Sequence, residues 1–442
     1  MSDVKLSRFI AEVPVEKDGA TYASVFHTMT GAHIVLPEPT WAIVRNDPVQ
    51  APPEIVGALL RQGFLPGKAV DENAVLAAFR QQIVHDFGTI KTKTLVTRRC
   101  NNACTYCIVD AESYHMSHKT ALAVDRFIFE LARKKRPRHI EDLYSGGEVF
   151  LNPKILLESA TRRAHFFRGC GIDYEFSLIT NGALITPTII SKLIEVGLTS
   201  IRVSIAGPAP VHNKLRPMRD ASKNGGNAYE LILKNLAVIS DGKIAIQVQT
   251  QYDSSSDDYL QIPEMLDDFS RYGLAVTKVS FTPIMARRDE TTYKGMMGDP
   301  AKYLYLLHAA DERGYRQFER PPWNACTADL RSRITFDTDG SITACASLQS
   351  GEMVYGHIDK GINFVAESQL LQRKYPDRCL NDCALFPRCW GGCRLNSLAR
   401  GEGFDGIDCQ EEVLWLMLEE FMRRRALAVL SSGSAPTIMA AA

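Results

Sequence analysis

The sequence has no surplus of charge of either sign and no long apolar run. Lys and Arg total 51, as do Asp and Glu, so the formal net charge is zero. Without a basic excess the chain lacks the footprint of a general nucleic-acid or anionic-membrane binder, and neither partner is expected. No stretch reaches the roughly 18 consecutive apolar residues of a membrane-spanning helix. No N-terminal segment combines the basic start, short apolar stretch and small-residue cleavage site of a secretion signal, so a cytoplasmic location is expected. Disorder is disfavoured as well, because 45% hydrophobic and 23% charged residues are ordinary globular values. What stands out instead is cysteine, with 11 in 442 residues. In a reducing compartment, clustered cysteines more often bind metal or do redox chemistry than form structural disulfides.

The cysteines are unevenly placed. Cys100, Cys104 and Cys107 form a tight triplet; Cys326, Cys345, Cys379, Cys383, Cys389, Cys393 and Cys409 form a late group; Cys170 stands alone. This partition and the chain length argue for several modules, expected at residues 1–88, 89–315 and 316–415, with a terminal helix and tail at 416–442.

Between about residues 90 and 310, short apolar runs alternate with amphipathic stretches. Strands are expected at Leu95-Val96, Leu143-Tyr144, Tyr174 to Ile179, Ile201 to Ile205, Ile244 to Val248 and Val279 to Phe281. Asn152-Pro153 and Thr186-Pro187 each set a capping side chain before a proline suited to the first helical turn. Gly197 and Gly273 fall where helices should end. Strands alternating with helices imply a parallel sheet, open or closed into part of a barrel, with its chemistry at the C-terminal strand ends. The triplet Cys100-x3-Cys104-x2-Cys107 follows the first strand, where such a loop belongs. Three thiolates supply three corners of a cuboidal cluster and fall one short of a tetrahedral zinc site. A [4Fe–4S] cluster held by three thiolates keeps one iron open for a small chelating molecule.

This signature, with Tyr106 before its last cysteine, resembles that of the radical S-adenosylmethionine (radical SAM) enzymes. Tyr144-Ser145-Gly146-Gly147-Glu148 resembles the family's Gly-Gly-Glu motif, which implies that backbone and carboxylate there receive the ammonium group of SAM, the glycines letting backbone approach the ligand. Leu178 to Gly182, containing Asn181, and Val203 to Gly207 match the ends of the family's third and fourth strands, and Ser204 is the implied SAM contact. The stretch from Ser204 through His212-Asn213 to Arg216 resembles a Ser-Leu-Asp-Gly, His-Asp, Arg pattern of one branch, with Ala206 and Asn213 where that branch carries Asp. For His212 and Arg216, a hydrogen-bonded loop anchor and a cofactor contact both stay open. The resemblance thus implies an α/β fold, a partial (β/α)6 barrel of TIM type. It implies cofactor contacts at Tyr106, Gly146, Gly147, Glu148, Asn181, Ser204 and Arg216. It also implies reductive cleavage of SAM to a 5′-deoxyadenosyl radical that abstracts hydrogen from carbon.

The late cysteines read Cys326-x18-Cys345, then Cys379-x3-Cys383-x5-Cys389-x3-Cys393, then Cys409. Ile334 to Ile342 alternates apolar and polar residues around Asp339-Gly340, a hairpin signal that would bring Cys326 and Cys345 together. Taken alone, the paired spacings also suit a zinc module. The whole pattern resembles the SPASM domain, the cysteine-rich extension of peptide-modifying radical SAM enzymes, with one extra residue inside the first pair. That resemblance implies two auxiliary [4Fe–4S] clusters, an outer one on Cys379, Cys383, Cys389 and Cys409 and an inner one on Cys326, Cys345 and Cys393. Relatives supply a further cysteine where this chain has Ser332, so the inner cluster is expected to have an open iron or a non-cysteine ligand. Anaerobic sulfatase maturases carry an Asp after the equivalent of Cys345 as a base. Here the residue is Ala346, which disfavours formylglycine formation unless Asp337 or Asp339 substitutes, and both read more simply as turn residues.

Residues 1 to about 85 hold a strand-turn-strand pattern, Tyr22 to His27 and His33 to Leu36. A helix from Pro53 carries Ile55, Val56, Leu59 and Leu60, and a second stripe runs through Val75, Leu76, Phe79 and Ile83. The arrangement resembles winged-helix elements that pair a precursor's leader with an exposed strand and an adjacent helix; a small cap on the barrel is the other reading. Cys170 is expected to be a buried apolar thiol, His139 structural, and the basic run Arg133 to Arg138 a solvated helix end. Val413 to Leu427 is expected to be a helix docked on the barrel, and the tail from Ser431 disordered.

The expected function is a radical SAM maturase acting on a ribosomally made precursor peptide or protein and reduced by flavodoxin or ferredoxin. Its product would be a cross-link or an oxidised or epimerised residue. Two alternatives stay open: oxidation of a small molecule with the same cofactors, and a zinc-bound binding module without activity.

Overall fold

The computed structural model describes residues 3–107, 114–220, 226–284, 299–346 and 353–432, and the backbone of 437–439. The N-terminal part is an antiparallel meander of β1 (Ile10–Lys17), β2 (Ala20–His27) and β3 (His33–Pro37), followed by α1 (Glu38–Asn46), α2 (Pro53–Arg61) and α3 (Glu72–Val84). β1 was not among the expected strands. It is joined to β2 by Asp18-Gly19, both at positive φ (51° and 77°), the backbone that a tight two-residue hairpin turn requires. Trp41, Val44, Val56 and Leu59 of the first two helices close over Val25, Ile34 and Leu36. α3 starts at Asp71, whose carboxylate accepts from Asn73 N and Ala74 N. It buries Leu76 and Val84, whereas Val75 of the expected stripe is exposed. Leu76 packs with Phe9 and Phe386 beside Cys379 and Cys383, so α3 lies on the C-terminal cysteine region.

The middle of the chain alternates β4 (Thr89–Thr97), α4 (His118–Lys135), β5 (His139–Gly146), α5 (Pro153–Gly169), β6 (Asp173–Thr180), α6 (Pro187–Glu195), β7 (Leu198–Ser204), α7 (Ala209–Leu215), α8 (Ala228–Ala237), β8 (Ala245–Tyr252), α9 (Ile262–Arg271) and β9 (Val276–Pro283), then α10 (Pro300–Asp311). All six expected strands are present and run parallel in chain order. Thr186 caps α6 as expected, but Asn152 does not cap α5. Its amide instead donates to Val96 O and Met116 O, tying the start of α5 to the end of β4.

Alternation along the strands sorts the two faces. On β8, Ile246, Val248, Thr250 and Tyr252 are buried towards the helices, while Gln247, Gln249 and Gln251 are partly exposed on the lumen side. Outside the lumen a buried ion network pins α4 and α5 to the sheet. Arg163 donates to Asp125 (2.8 Å), Asp142 (3.0 Å) and Thr94 (3.2 Å), so its desolvated charge is met by two carboxylates.

The chain then adds β10 (Arg333–Phe336), β11 (Ser341–Thr343), β12 (Val354–His357), β13 (Gly361–Ile362), α11 (Phe364–Leu371), α12 (Phe386–Cys389), α13 (Arg394–Ala399), α14 (Glu411–Ser431) and β14 (Thr437–Met439). The expected hairpin is β10–β11, with Gly340 at φ 96°. β10 also pairs in parallel with β4, Arg333 opposite Lys91, so one open sheet runs β13-β12-β11-β10-β4-β5-β6-β7-β8-β9. The barrel is therefore partial, and the hairpin continues its wall.

Three expectations are corrected. Cys170 is exposed, because it follows the last turn of α5 rather than facing its core. α14 docks chiefly on β1 and β2, burying Leu414, Leu418, Phe421 and Met422 against Ala11, Val13 and Phe26, and meets the barrel through α10. The tail is not wholly irregular: Thr437–Met439 pair antiparallel with β3 and cover the edge at which a leader strand was expected to add. The rest of the tail, 433–436 and 440–442, lies outside the described residues.

Candidate active site

The cysteine triplet follows β4 and is held in shape from the far side of the barrel mouth. Ala103 N donates to Pro217 O (2.8 Å) and Thr105 N to Leu215 O (2.9 Å); the side chain of Arg219 donates to Cys100 O (3.1 Å). Asn181, at the end of β6, donates to the side-chain oxygens of Asn101 (2.7 Å) and Asn102 (3.1 Å) and lies 3.9 Å from Cys100 Sγ. Arg216 donates to the Tyr106 hydroxyl (2.7 Å), which in turn donates to Gln251 Oε1 (3.3 Å). Burial would lower the Arg216 pKa, but Tyr106, Cys104 and Cys100 raise it more, so the guanidinium stays charged. His212 is wholly buried and accepts from Ala206 N through Nδ1 (3.2 Å); burial lowers its pKa to about 3, which keeps it neutral. In this structure Asn181, Arg216 and His212 position the loop and its neighbours.

The glycines of Gly146-Gly147-Glu148 have a different local reason from the expected one. A Cβ on Gly146 would stand 2.0 Å from Thr97 O, and one on Gly147 would stand 2.3 Å from Arg99 O. Gly147 N and Glu148 N donate to those same carbonyls, each at 2.8 Å. What the missing side chains admit is thus the chain's own backbone at the end of β4. The Glu148 carboxylate is wholly buried and accepts from Asn181 N (2.7 Å), the Thr180 hydroxyl (2.8 Å) and Phe150 N (3.1 Å). Burial raises its pKa against the pull of these donors.

Above the sheet, a cavity of about 440 Å³ opens at the C-terminal strand ends. Tyr106 and Cys107 line it together with Gly146, Ser204, Cys345, Ala346 and Cys393. The two cysteine groups, more than 200 residues apart in sequence, thus meet at one space. Lys93, Arg98, Arg202, Gln249 and Gln251 complete its polar lining, and among the described residues no carboxylate lines it. None of these five was expected from the sequence, although Gln247-x-Gln249-x-Gln251 and Lys91-x-Lys93 carry the period-2 signal of a polar lumen. Asp337 accepts from Arg98 Nε (3.0 Å), and Asp339 caps Ser341 N (2.8 Å), so both carboxylates are engaged away from the cavity.

The late cysteines fall into two groups by which thiols act on which. Besides burial, the largest cause, Cys345 raises Cys326 and Cys393, whereas Cys383 and Cys409 raise Cys379 and Cys389, and Cys409 raises Cys383. Buried charged side chains also tie these loops together. Arg373 donates to Gly391 O (2.7 Å), Gly392 O (3.0 Å) and Trp390 O (3.2 Å); Arg394 binds Asp329 (2.6 Å). Asp408 accepts from Arg400 (2.7 Å) and Asn396 (2.9 Å). Gly392, at φ 68°, is needed because a Cβ there would stand 2.0 Å from Asp408 O.

The donor set fits iron–sulfur clusters better than mononuclear zinc. None of the 11 cysteines is in a disulfide. Burial, with repulsion between neighbouring thiolates, pushes Cys100 and Cys389 up to about 11 and Cys393 to about 12, so a bound cation is needed to draw out the thiolates. A zinc ion with bonds of about 2.3 Å would hold its sulfurs roughly 3.8 Å apart. Among the described residues, no three cysteines have sulfurs within 4.8 Å of one another.

Residues 94–246 match the model of the Radical SAM superfamily. Over 215 residues the chain is 27% identical to an AdoMet-dependent heme synthase of Methanosarcina barkeri, covering 48% of this chain and 55% of the relative. The chain thus spans about half the length of that curated relative. The fold is similar to anSMEcpe with bound AdoMet and Cp18Cys peptide, at TM-score 0.58 and 17% identity, covering 78% of this chain and 100% of the other. It is also similar to Streptococcus suis SuiB bound to precursor peptide SuiA, at TM-score 0.52 and 14% identity, covering 92% and 99%.

Proposed function

Starting from the premise that residues 94–246 form a radical SAM domain, we propose that the chain is a maturase that uses SAM to modify a residue of a ribosomally made peptide. Cys100, Cys104 and Cys107 would hold the SAM-binding cluster. Cys326, Cys345 and Cys393 would hold an inner auxiliary cluster, and Cys379, Cys383, Cys389 and Cys409 an outer one. When bound and reduced, the first cluster with SAM supplies a 5′-deoxyadenosyl radical able to take hydrogen from an unactivated carbon.

The observation that carries the reading is the shared cavity, lined by Cys107 of the triplet and by Cys345 and Cys393 of the late group. A substrate carbon held there would be near both the site of hydrogen abstraction and an auxiliary cluster suited to electron exchange. Ser204 and Gly146 line the same space and are the chain's candidate contacts to SAM. Arg216 and Asn181 hold the cysteine loop, and Glu148 braces the ends of β5 and β6. Ala346, which lines the cavity directly after Cys345, stands where sulfatase maturases carry their aspartate base, and this argues against formylglycine chemistry of that kind. Peptide complexes of two similar folds support a peptide substrate. With the β3 edge covered by β14, leader pairing there would require displacing residues 437–439.

The second reading, oxidation of a small molecule, is favoured by the cavity's size, which lies within the range of small-molecule sites. Incubating reduced enzyme and SAM with a candidate precursor peptide, followed by mass spectrometry, tests the first reading. Loss of about two hydrogens supports a cross-link or oxidation. Unchanged mass in ordinary water, with a gain of about one mass unit when the reaction is run in deuterium oxide, supports epimerisation. SAM cleavage that no tested peptide stimulates, but a small acid does, overturns the peptide assignment.

A further inference from the structure

We infer that Lys93 and Arg202 form an anion site inside the barrel that takes a carboxylate of the substrate. This deepens the maturase reading, and rests on it only in taking the cavity to be the reaction chamber. Lys93 is on β4 and Arg202 on β7, and both face the lumen. Both line the upper cavity and also its neighbour of about 480 Å³ towards the foot of the strands.

The other cations around the lumen have acidic partners. Arg98 holds Asp337, Lys91 holds Glu141, and Arg333 is within the influence of Glu141. Lys93 and Arg202 make neither a hydrogen bond nor an ion pair among the described residues. Two cations drawn partly out of water and set near each other cost free energy unless an anion meets them.

A thiolate-bound cluster is the obvious competing anion, and Cys345 does favour the charge on Lys93. Arg202 lines the same two cavities as Cys345, so iron content read beside carboxylate binding separates the two anions. A planar guanidinium beside a point ammonium suits a carboxylate, one group giving paired N–H donors and the other net charge. Gln249, Gln251 and Ser204 offer neutral donors around them. The carboxylate can belong to a peptide side chain or to a small acid.

The test uses anoxically reconstituted holoenzyme, with three probes titrated calorimetrically: glutarate, its uncharged analogue glutaramide, and acetyl-Gly-Glu-Gly-amide. The expected result is binding of a carboxylate probe and none of glutaramide. Affinity should fall at least tenfold in Lys93→Gln and in Arg202→Gln, with iron content, visible spectrum and thermal midpoint undiminished. Lys91→Gln, whose cation is already paired, should bind as wild type. Preference for the peptide assigns the carboxylate to a peptide residue, and preference for glutarate to a small acid. Equal binding of glutarate and glutaramide, or unaltered affinity in both variants, overturns the inference. So does loss of iron from the variants when wild type binds no carboxylate, which would make the cations partners of a cluster. Assaying 5′-deoxyadenosine on the same wild-type sample separates the two claims. Carboxylate binding without SAM cleavage sinks the maturase reading alone, and cleavage without carboxylate binding sinks this inference alone.

Discussion

Arg98, immediately after β4, clamps Asp337, at the turn of the β10–β11 hairpin, through one edge of its guanidinium, with Nε 3.0 Å from Oδ1 and Nη2 on Oδ2. Their side chains are 15% and 8% exposed, so the pair is largely shielded from solvent. The contact ties the lip of the barrel to the strand pair that leads into Cys345. It also removes the nearest turn carboxylate from the chemistry.

Breaking the clamp should loosen the hairpin. Asp337→Asn leaves a half-buried guanidinium without its anion and should cost on the order of 2 kcal/mol, between the values for exposed and fully buried pairs. Chemical denaturation of wild type, Asp337→Asn, Arg98→Gln and the double variant should show a double variant less impaired than the sum of the singles. Strict additivity would mean that the pair contributes no coupling.

The two glycines should tolerate no side chain. In Gly146→Ala and Gly147→Ala the new methyl meets a backbone carbonyl at 2.0 Å and 2.3 Å, and neither strand end can retreat without breaking its hydrogen bonds. A loss on the order of 3 kcal/mol, or of soluble protein, is expected. Gly169→Ala, where an added Cβ meets nothing within 4 Å, is the matched control and should behave as wild type in thermal melts.

Asn181→Ala should act on the first cysteine group alone. Its amide bridges Asn101 and Asn102 and lies against Cys100, so its removal frees the loop without touching the C-terminal thiols. Loss of such a supporting contact typically weakens metal affinity about 10- to 100-fold. Under mild chelation the variant should fall from about twelve irons to about eight per chain, if each cluster carries four. Uniform loss from all sites would contradict the local role.

Two neutral histidines make the N-terminal module acid-sensitive. Burial lowers His27 to about 4 and His33 to about 3; His33 shares a 2.7 Å hydrogen bond with Ser24 under α14. Both folded values lie below the ordinary 6.5, so the unfolded chain binds more protons and stability falls as pH drops through 6.5 towards 4. At pH 5.5 each histidine should cost about 1.4 kcal/mol relative to pH 8. Denaturation of wild type against His33→Gln across pH 5 to 8 checks this, because the variant should show the shallower slope.

Much of the architecture was legible because it depends on local periodicity. Val279 to Phe281 and Ile201 to Ile205 announce strands by their alternating apolar residues, and Cys100-x3-Cys104-x2-Cys107 announces its chemistry by residue type and spacing. What escaped depends on distant partners. The apolar face of α14 does not say whether it meets the barrel or the β1–β2 pair, and the two thiols that reach the cavity from the late group do so only because β10 pairs with β4. Asp18-Gly19 did carry a hairpin signal for β1. Lys93 and Arg202 stayed hidden because a barrel strand is expected to turn apolar residues inward, and a lumen that binds ligand inverts that rule. Gly146 and Gly147 were legible as necessary glycines, but what they make room for could be read only from Thr97 and Arg99.

The central claim is that the triplet holds a cluster that cleaves SAM. The direct measurement is 5′-deoxyadenosine formed by anoxically reconstituted, dithionite-reduced protein given SAM, compared with Cys104→Ala. The account predicts iron-loaded protein that releases 5′-deoxyadenosine, with release abolished in Cys104→Ala while about eight of about twelve irons stay bound. Colourless protein carrying zinc, or cleavage that survives Cys104→Ala, would contradict it.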